Sequence, residues 1–201
     1  ITRDMTEIEV AAELEYYMKR NGSQKPSFDT ICVSGTASSR PHGVPRNVRL
    51  ESGFLTMDYG AMVNGYHSDM TRTIVIGKAD EDMKKLYNTV LKAQLAAIDA
   101  ITEGAKNADM DKVARDVIDN AGYKGYFSHS LGHGVGLEIH EQPGLHARMG
   151  DATLKAGQIV TAEPGIYIEG KYGCRIEDMV LVTKGGKRDL TDCPKELIEV
   201  C

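Results

Sequence analysis

Residues Asp58 to Thr73, DYGAMVNGYHSDMTRT, constrain this chain more than any other stretch. Asn64-Gly65 supplies the left-handed residues of a two-residue hairpin turn, and strand-forming residues flank it. Counting outward pairs Val63 with Tyr66, then Gly60 with Asp69. Asp58 lies two residues before Gly60, so its side chain shares a face with that of Asp69. The two carboxylates become diagonal cross-strand neighbours, roughly 7 Å apart at their β-carbons. Anions this close need a counter-charge. A pair of divalent metals about 3.5–4 Å apart would supply it. The simpler reading is two solvated aspartates on a hairpin edge.

The 201 residues suit one large domain or two small ones, with enough chain to bury a substantial core. A net charge of −5 offers no basic patch and argues against nucleic acid as a partner. No apolar run approaches the ~20 residues of a transmembrane helix, and no signal peptide is recognised, so no membrane partner is expected. Cys32, Cys174, Cys193 and Cys201 lack CxxC spacing. They fit free thiols in a reducing compartment, and a cytoplasmic location is expected. The first residue is Ile1 rather than Met, which suggests a fragment of a longer protein.

A helix is expected over residues 6–20, opened by the capping box Thr6/Glu9, striped by Val10, Leu14, Tyr17 and Met18, and stopped at Gly22. Strands are expected from Phe28 to Gly35 and around Val48 to Leu50, with a polar loop bearing His42 between them. After the hairpin, which ends at Gly77, come a helix from Glu81 to Glu103 and a shorter one capped by Asp109 and ended at Gly122. The Gly- and His-rich segment YFSHSLGHGVGLEIHE leads into a polar loop to Gly157. Two strands follow, Ile159 to Ile168 and Arg175 to Val182, joined by EGKYG. Each half therefore runs helix, strand, histidine-bearing loop and acid-bearing hairpin, which suggests two related halves sharing one site.

His129, His133 and His140 fall within twelve residues among Gly132, Gly134 and Gly136, where backbone freedom leaves room for a ligand. The glycine run also allows a phosphate loop, but no strand–turn–helix context or GK[ST] supports that. Glu163 and Glu177 sit inside apolar strands. Arg175, on the same face as Glu177, offers a simple salt bridge. The register of that last hairpin is open at this point; an odd-length loop would put both glutamates on one side. Asp58, Asp69, His133, Glu163 and Glu177 together give four carboxylates and one imidazole. That set favours manganese, cobalt, iron or zinc in a two-metal site, where the ions acidify a shared water and polarise a carbonyl.

The segments RPHG, MDYGAMVNGYHSDMTRT, SHSLGHGVGLEIHE, TAEPGIY and RIEDMVLVT resemble the successive signatures of the pita-bread metallopeptidases, in particular the Xaa-Pro aminopeptidase and prolidase branch. The resemblance spans nearly the whole chain. It implies an α+β pita-bread fold, with two pseudo-symmetric halves, a curved antiparallel sheet and outer helices. It also implies hydrolysis of the Xaa-Pro bond at a peptide N-terminus or in a dipeptide, with two divalent ions, manganese first and cobalt, zinc or iron as alternatives. Asp58 would chelate one metal, Asp69 and Glu177 would bridge the pair, and His133 and Glu163 would complete the second metal's shell. Glu163 would also shuttle a proton. His140 would stabilise the tetrahedral intermediate. His42 and His129 would shape the proline pocket, and Arg175 would hold the surrounding geometry.

Methionine aminopeptidases share this fold and these five ligands, but SDMTRT and RIEDMVLVT follow the proline-peptidase versions. A non-catalytic pita-bread binding protein and, outside the family, a nucleotide-binding α/β domain are the remaining alternatives. Proline-specific members carry an N-terminal domain and an additional leading helix that are not seen here. Residues 1–201 are thus expected to form a single catalytic domain from a longer parent, which would be a homo-oligomer acting on peptides with proline second.

Overall fold

The first half of the chain is organised by local signals that the backbone obeys. In the computed structural model, which describes residues 1–200, helix α1 spans Glu7–Arg20. Its capping box is formed, with Thr6 accepting from the Glu9 amide at 3.2 Å and Glu9 accepting from the Thr6 amide at 2.7 Å. Val10 and Ala11 turn inward, whereas Tyr17, expected on the apolar stripe, is 70% exposed. β1 (Lys25–Pro26) and β2 (Ile31–Ser34) follow; β2 is shorter than expected and passes into a 3-10 turn at Gly35–Ser39. The strand expected at Val48 to Leu50 is not formed. Arg49 makes only a single bridge, to Thr6.

The central hairpin forms as the turn chemistry requires. β3 (Gly53–Tyr59), β4 (Ala61–Val63), β5 (Tyr66–His67) and β6 (Met70–Ile76) make two arms joined by Asn64 (φ 53°) and Gly65 (φ 81°). Val63 pairs with Tyr66 and Tyr59 with Met70, so one register runs through Gly60 and Asp69. The arms approach closely at Gly60, where a β-carbon would lie 1.8 Å from the Ser68 carbonyl oxygen.

Helix α2 (Glu81–Ala100) is capped by Asp80 and ends three residues before the expected Glu103. α3 (Asn107–Ile118) begins earlier than expected: its cap is Lys106, and Asp109 lies in its first turn. A bridge between Lys106 and Thr153, with the Asn107 amide donating to the Ala152 carbonyl at 2.9 Å, satisfies this end in place of a side-chain cap. A π turn closes the helix at Gly122 (φ 92°).

β7 (Gly132–Gly134) and β8 (Glu141–Leu145) follow, the latter in a segment expected to be loop. The two long strands expected next are each interrupted at their glutamate, giving β9 (Ile159–Ala162), β10 (Gly165–Ile168), β11 (Tyr172–Arg175) and β12 (Asp178–Thr183). β13 (Gly186–Asp189) and β14 (Glu199–Val200) complete the fold.

Two larger sheets result, ordered β14-β6-β3-β2 and β13-β12-β9-β7-β8. Strand alternation divides the first sheet's side chains. Leu55, Met57, Ile74 and Ile76 pack under α1 with Val10 and Ala11. Phe54 and Val75 join the main core, which α2 and α3 build with Leu86, Val90, Met110 and Ile118 against Val160, Ile166 and Ile176. No helix among the described residues is long and apolar enough to cross a membrane.

Glu7 ties this scaffold to the loop that carries His42. It is fully buried and accepts from the Ser34 amide (2.7 Å), the Ser34 hydroxyl (2.8 Å) and the Arg46 side chain (2.6 Å). Burial alone would raise its pKa, but the Arg46 and Ser34 hydrogen bonds outweigh it and hold the carboxyl below its usual value of 4.5. A depressed carboxyl stabilises the fold above its unfolded pKa, and that contribution fades as pH falls through the folded value. Glu7→Gln should therefore cost about 2 kcal/mol at neutral pH. Urea midpoints measured against pH should fall less steeply below about pH 4.5 in the variant than in wild type.

Candidate metal centre

The cavity is built on one row of side chains running across both hairpins. Asp58 pairs with Thr71, and Thr71 bridges to Glu177. The second hairpin pairs Ala162 with Asp178 and Gly165 with Arg175, so its register sets Glu163 opposite Glu177. The loop between Ile168 and Tyr172 holds three residues, the odd length that puts both glutamates on one face. Directly opposed residues share a face, so Asp58, Thr71, Glu177 and Glu163 line up, with Asp69 one step along from Thr71. His133 joins from β7, its amide donating to Thr161 Oγ1 at 3.1 Å. Gly132 lets β7 come this close: a β-carbon there would lie 2.1 Å from the Thr161 carbonyl.

All nine residues expected at the site line one cavity of about 320 Å³: Asp58, Asp69, His133, Glu163, Glu177, His42, His129, His140 and Arg175. Phe28, Ile31 and Ile139 form its apolar wall. One oxygen or nitrogen from each of Asp69, His133 and Glu177 lies within 4.8 Å of the others. His133 Nδ1 faces the Gly134 carbonyl at 3.0 Å, so Nδ1 carries the proton and Nε2 presents a lone pair. Nε2 stands 3.5 Å from both Asp69 and Glu163. That is too long for a good hydrogen bond and suits donors converging on a common cation.

The electrostatics carry the same message. Burial, with repulsion from Asp58 and Glu163, pushes the Asp69 carboxyl up to about 9. Burial likewise lifts Glu163 to about 8, against the pull of Arg175. Glu177 rises well above the carboxylate range, from burial and then its acidic neighbours, Asp69 first. Burial, then Arg175, presses His129 down to about 4. Asp58 Oδ1 is buried without a hydrogen-bond partner, an expense that a cation would remove.

Arg175 does not pair with Glu177 as the strand parity suggested. It donates to Asp58 Oδ2 at 2.6 Å and to Thr71 Oγ1 at 3.0 Å, because the hairpin junction brings Asp58 into reach. It also donates to the Tyr167 hydroxyl at 2.8 Å, and Tyr167 donates to His129 Nε2 at 2.8 Å. His140 lies against His133, with ring centroids 4.3 Å apart.

Sequence reasoning missed Thr71, Thr161 and Tyr167. Thr71 donates to Glu177 Oε2 at 2.6 Å and Thr161 to Glu163 Oε1 at 3.2 Å. Each is two or four residues from an acid of the same face, so the period of two was the available signal.

A family model, metallopeptidase family M24, matches residues 1–184. An Xaa-Pro dipeptidase of Pyrococcus furiosus is 49% identical over 199 residues, covering 98% of this chain and 57% of the relative. The structure of an Xaa-Pro dipeptidase from Bacillus anthracis superposes with a TM-score of 0.97 at 48% identity, over 100% of this chain and 56% of that one. An X-Pro aminopeptidase from Thermotoga maritima reaches 0.96 at 41% identity, over 100% and 57%. The chain belongs to metallopeptidase family M24 and has its pita-bread fold. It spans a little over half the length of these relatives.

Cys174 is buried in the main core and does not line the cavity, and burial pushes its thiol up to about 12. Cys32 is buried in the smaller core, and its thiol is also raised to about 12. Brief alkylation of the native protein, read by peptide mass spectrometry, should leave both unlabelled, and both should label in urea. Labelling of native Cys174 would place its thiol on the cavity after all.

Proposed function

We propose that this chain is the catalytic domain of a two-metal peptidase that cleaves the Xaa-Pro bond. The observation that carries the reading is the collection of four carboxylates against one guanidinium in a single small cavity. Asp58, Asp69, His133, Glu163 and Glu177 would hold the ions. The oxygen-rich donors with one imidazole suit manganese first, with cobalt, zinc or iron as alternatives. Bound there, two divalent ions supply Lewis acidity toward a carbonyl and lower the pKa of water.

The remaining chemistry belongs to the chain's own side chains. Glu163, oriented by Thr161, takes the proton of the attacking water and delivers it to the proline nitrogen as the peptide bond breaks. His140 donates a hydrogen bond to the scissile carbonyl oxygen as negative charge develops there. Phe28, Ile31 and Ile139 offer an apolar wall to the pyrrolidine ring and exclude water around it. His129 is held by Tyr167 and the Ser130 carbonyl, which keeps its ring fixed at the edge of the cavity. The free cysteines suit a reducing, cytoplasmic setting.

The test is hydrolysis of an Xaa-Pro dipeptide and an Xaa-Pro-Xaa tripeptide by the full-length protein, with manganese and with chelator. Cleavage at the Xaa-Pro bond should require metal, and the preferred length separates dipeptidase from aminopeptidase. Glu163→Gln should lower kcat by about 10²–10⁴-fold with its circular dichroism unchanged. Near-wild-type turnover would remove Glu163 from its role. Release of methionine from Met-Ala peptides without action on Xaa-Pro would point instead to a methionine aminopeptidase. In chelator-treated protein, manganese at a hundred times its Kd should add about 2.7 kcal/mol of stability for each site it fills.

A further inference from the structure

The cavity face of the hairpin junction carries the acids; its reverse face carries a second set of charges that the chemistry above does not use. Arg72 follows Thr71 on β6 and so faces away from it. Its guanidinium has five N–H bonds, and each has an acceptor. Nε donates to the Pro194 carbonyl at 3.0 Å. One terminal nitrogen donates to the carbonyls of Thr71 (2.9 Å) and Glu177 (2.7 Å). The other donates to Asp178 Oδ1 (2.7 Å) and the Cys193 carbonyl (2.9 Å). Asp178 is fully buried, and its Oδ2 receives Gln94 at 2.6 Å and Lys195 at 2.5 Å. Lys195 also meets Asp189 at 2.8 Å.

Glu177 needs this support because its strand is interrupted there. β11 ends at Arg175 and β12 begins at Asp178, while the facing strand breaks at Glu163-Pro164, where proline has no N–H to give. The backbone of Glu177 is held instead by its neighbour β6. Its amide donates to the Thr71 carbonyl at 3.2 Å, and its carbonyl accepts from Arg72 at 2.7 Å. Arg72 thus fixes the main chain from which Glu177 reaches the cavity. The segment 189–195 in turn fixes Arg72, through two carbonyls directly and through Lys195 and Asp178.

We propose that Arg72 is a positioning residue for Glu177, and that the segment 189–195 is a strap that supports the metal centre from behind. The proposal rests on the reading of Glu177 as a metal ligand. Partners that orient ligands change metal affinity by about 10–100-fold when lost. A network that only holds the fold together would change thermal stability and leave metal affinity alone.

The experiment is calorimetric titration of chelator-treated full-length protein with manganese alone, alongside thermal melts. Arg72→Lys keeps the charge but has three donors in place of the fixed fork of five. It should weaken manganese binding by about 10–100-fold in protein that is still folded at the titration temperature. Lys195→Met should weaken binding about 10-fold, the low end of that range, and Lys195→Arg should restore it. Glu177→Gln serves as the reference and should lose binding outright at one of the two sites. If Glu177→Gln binds like wild type, the ligand reading fails and the inference with it. If Glu177→Gln loses metal while Arg72→Lys and Lys195→Met bind like wild type, the inference alone is overturned. A loss in Arg72→Lys without one in Lys195→Met overturns the part assigned to the strap.

Discussion

Mutual repulsion among Asp58, Asp69, Glu163 and Glu177 is the constraint that the rest of the structure answers. Two unit charges 4 Å apart repel by about 4 kcal/mol at an effective dielectric constant of 20. A domain's whole stability is only about 5–15 kcal/mol. Four such groups in one cavity cannot all ionise against the single guanidinium of Arg175. The raised carboxyls of Asp69, Glu163 and Glu177 express that in protons. Divalent cations are the other answer, and the neutral His133 with its outward lone pair belongs to that answer rather than to the first.

Holding groups that repel one another requires a stiff wall. The row from Asp58 through Thr71 to Glu177 and Glu163 is set by strand registers, which fix side-chain positions better than loops do. Three of the four acids also have a hydrogen-bond partner that limits their rotation. Arg175 holds Asp58, Thr71 holds Glu177, and Thr161 holds Glu163. The wall is interrupted at both glutamates, and there the reverse face takes over. The buried pair Arg72–Asp178 sits directly behind the interruption. Helices α2 and α3 supply the apolar mass against which this wall rests.

Much of this was legible along the chain. Asn64-Gly65 and strand alternation specified the first hairpin and put Asp58 and Asp69 on one face. Thr6 and Glu9 specified the start of α1. All nine expected site residues, each within one of the signature segments, line one cavity. The failures have physical causes. Asp109 reads as a helix cap, but the 152–154 segment satisfies the amide end of α3 earlier, so the helix starts at Asn107. The runs IVTAEPGIYI and RIEDMVLV read as continuous strands, since apolar pattern does not reveal where a ladder is interrupted. Tyr17 fits a helical stripe, but the sheet beneath α1 covers only Val10, Ala11 and their near neighbours.

By itself the sequence determined the turn of the first hairpin, the facing of its aspartates, the chemical types of the donors and the family signatures they occupy. These are local properties, written in backbone preferences and in a side-chain period of two. Only the tertiary structure decided that Arg175 serves Asp58 rather than Glu177, that Glu163 stands opposite Glu177, and that Tyr167 links Arg175 to His129. The physical reason is that each depends on register and on the docking of one hairpin against another. Those are set by contacts between residues distant in the chain, 117 positions apart for Arg175 and Asp58, which no local pattern encodes.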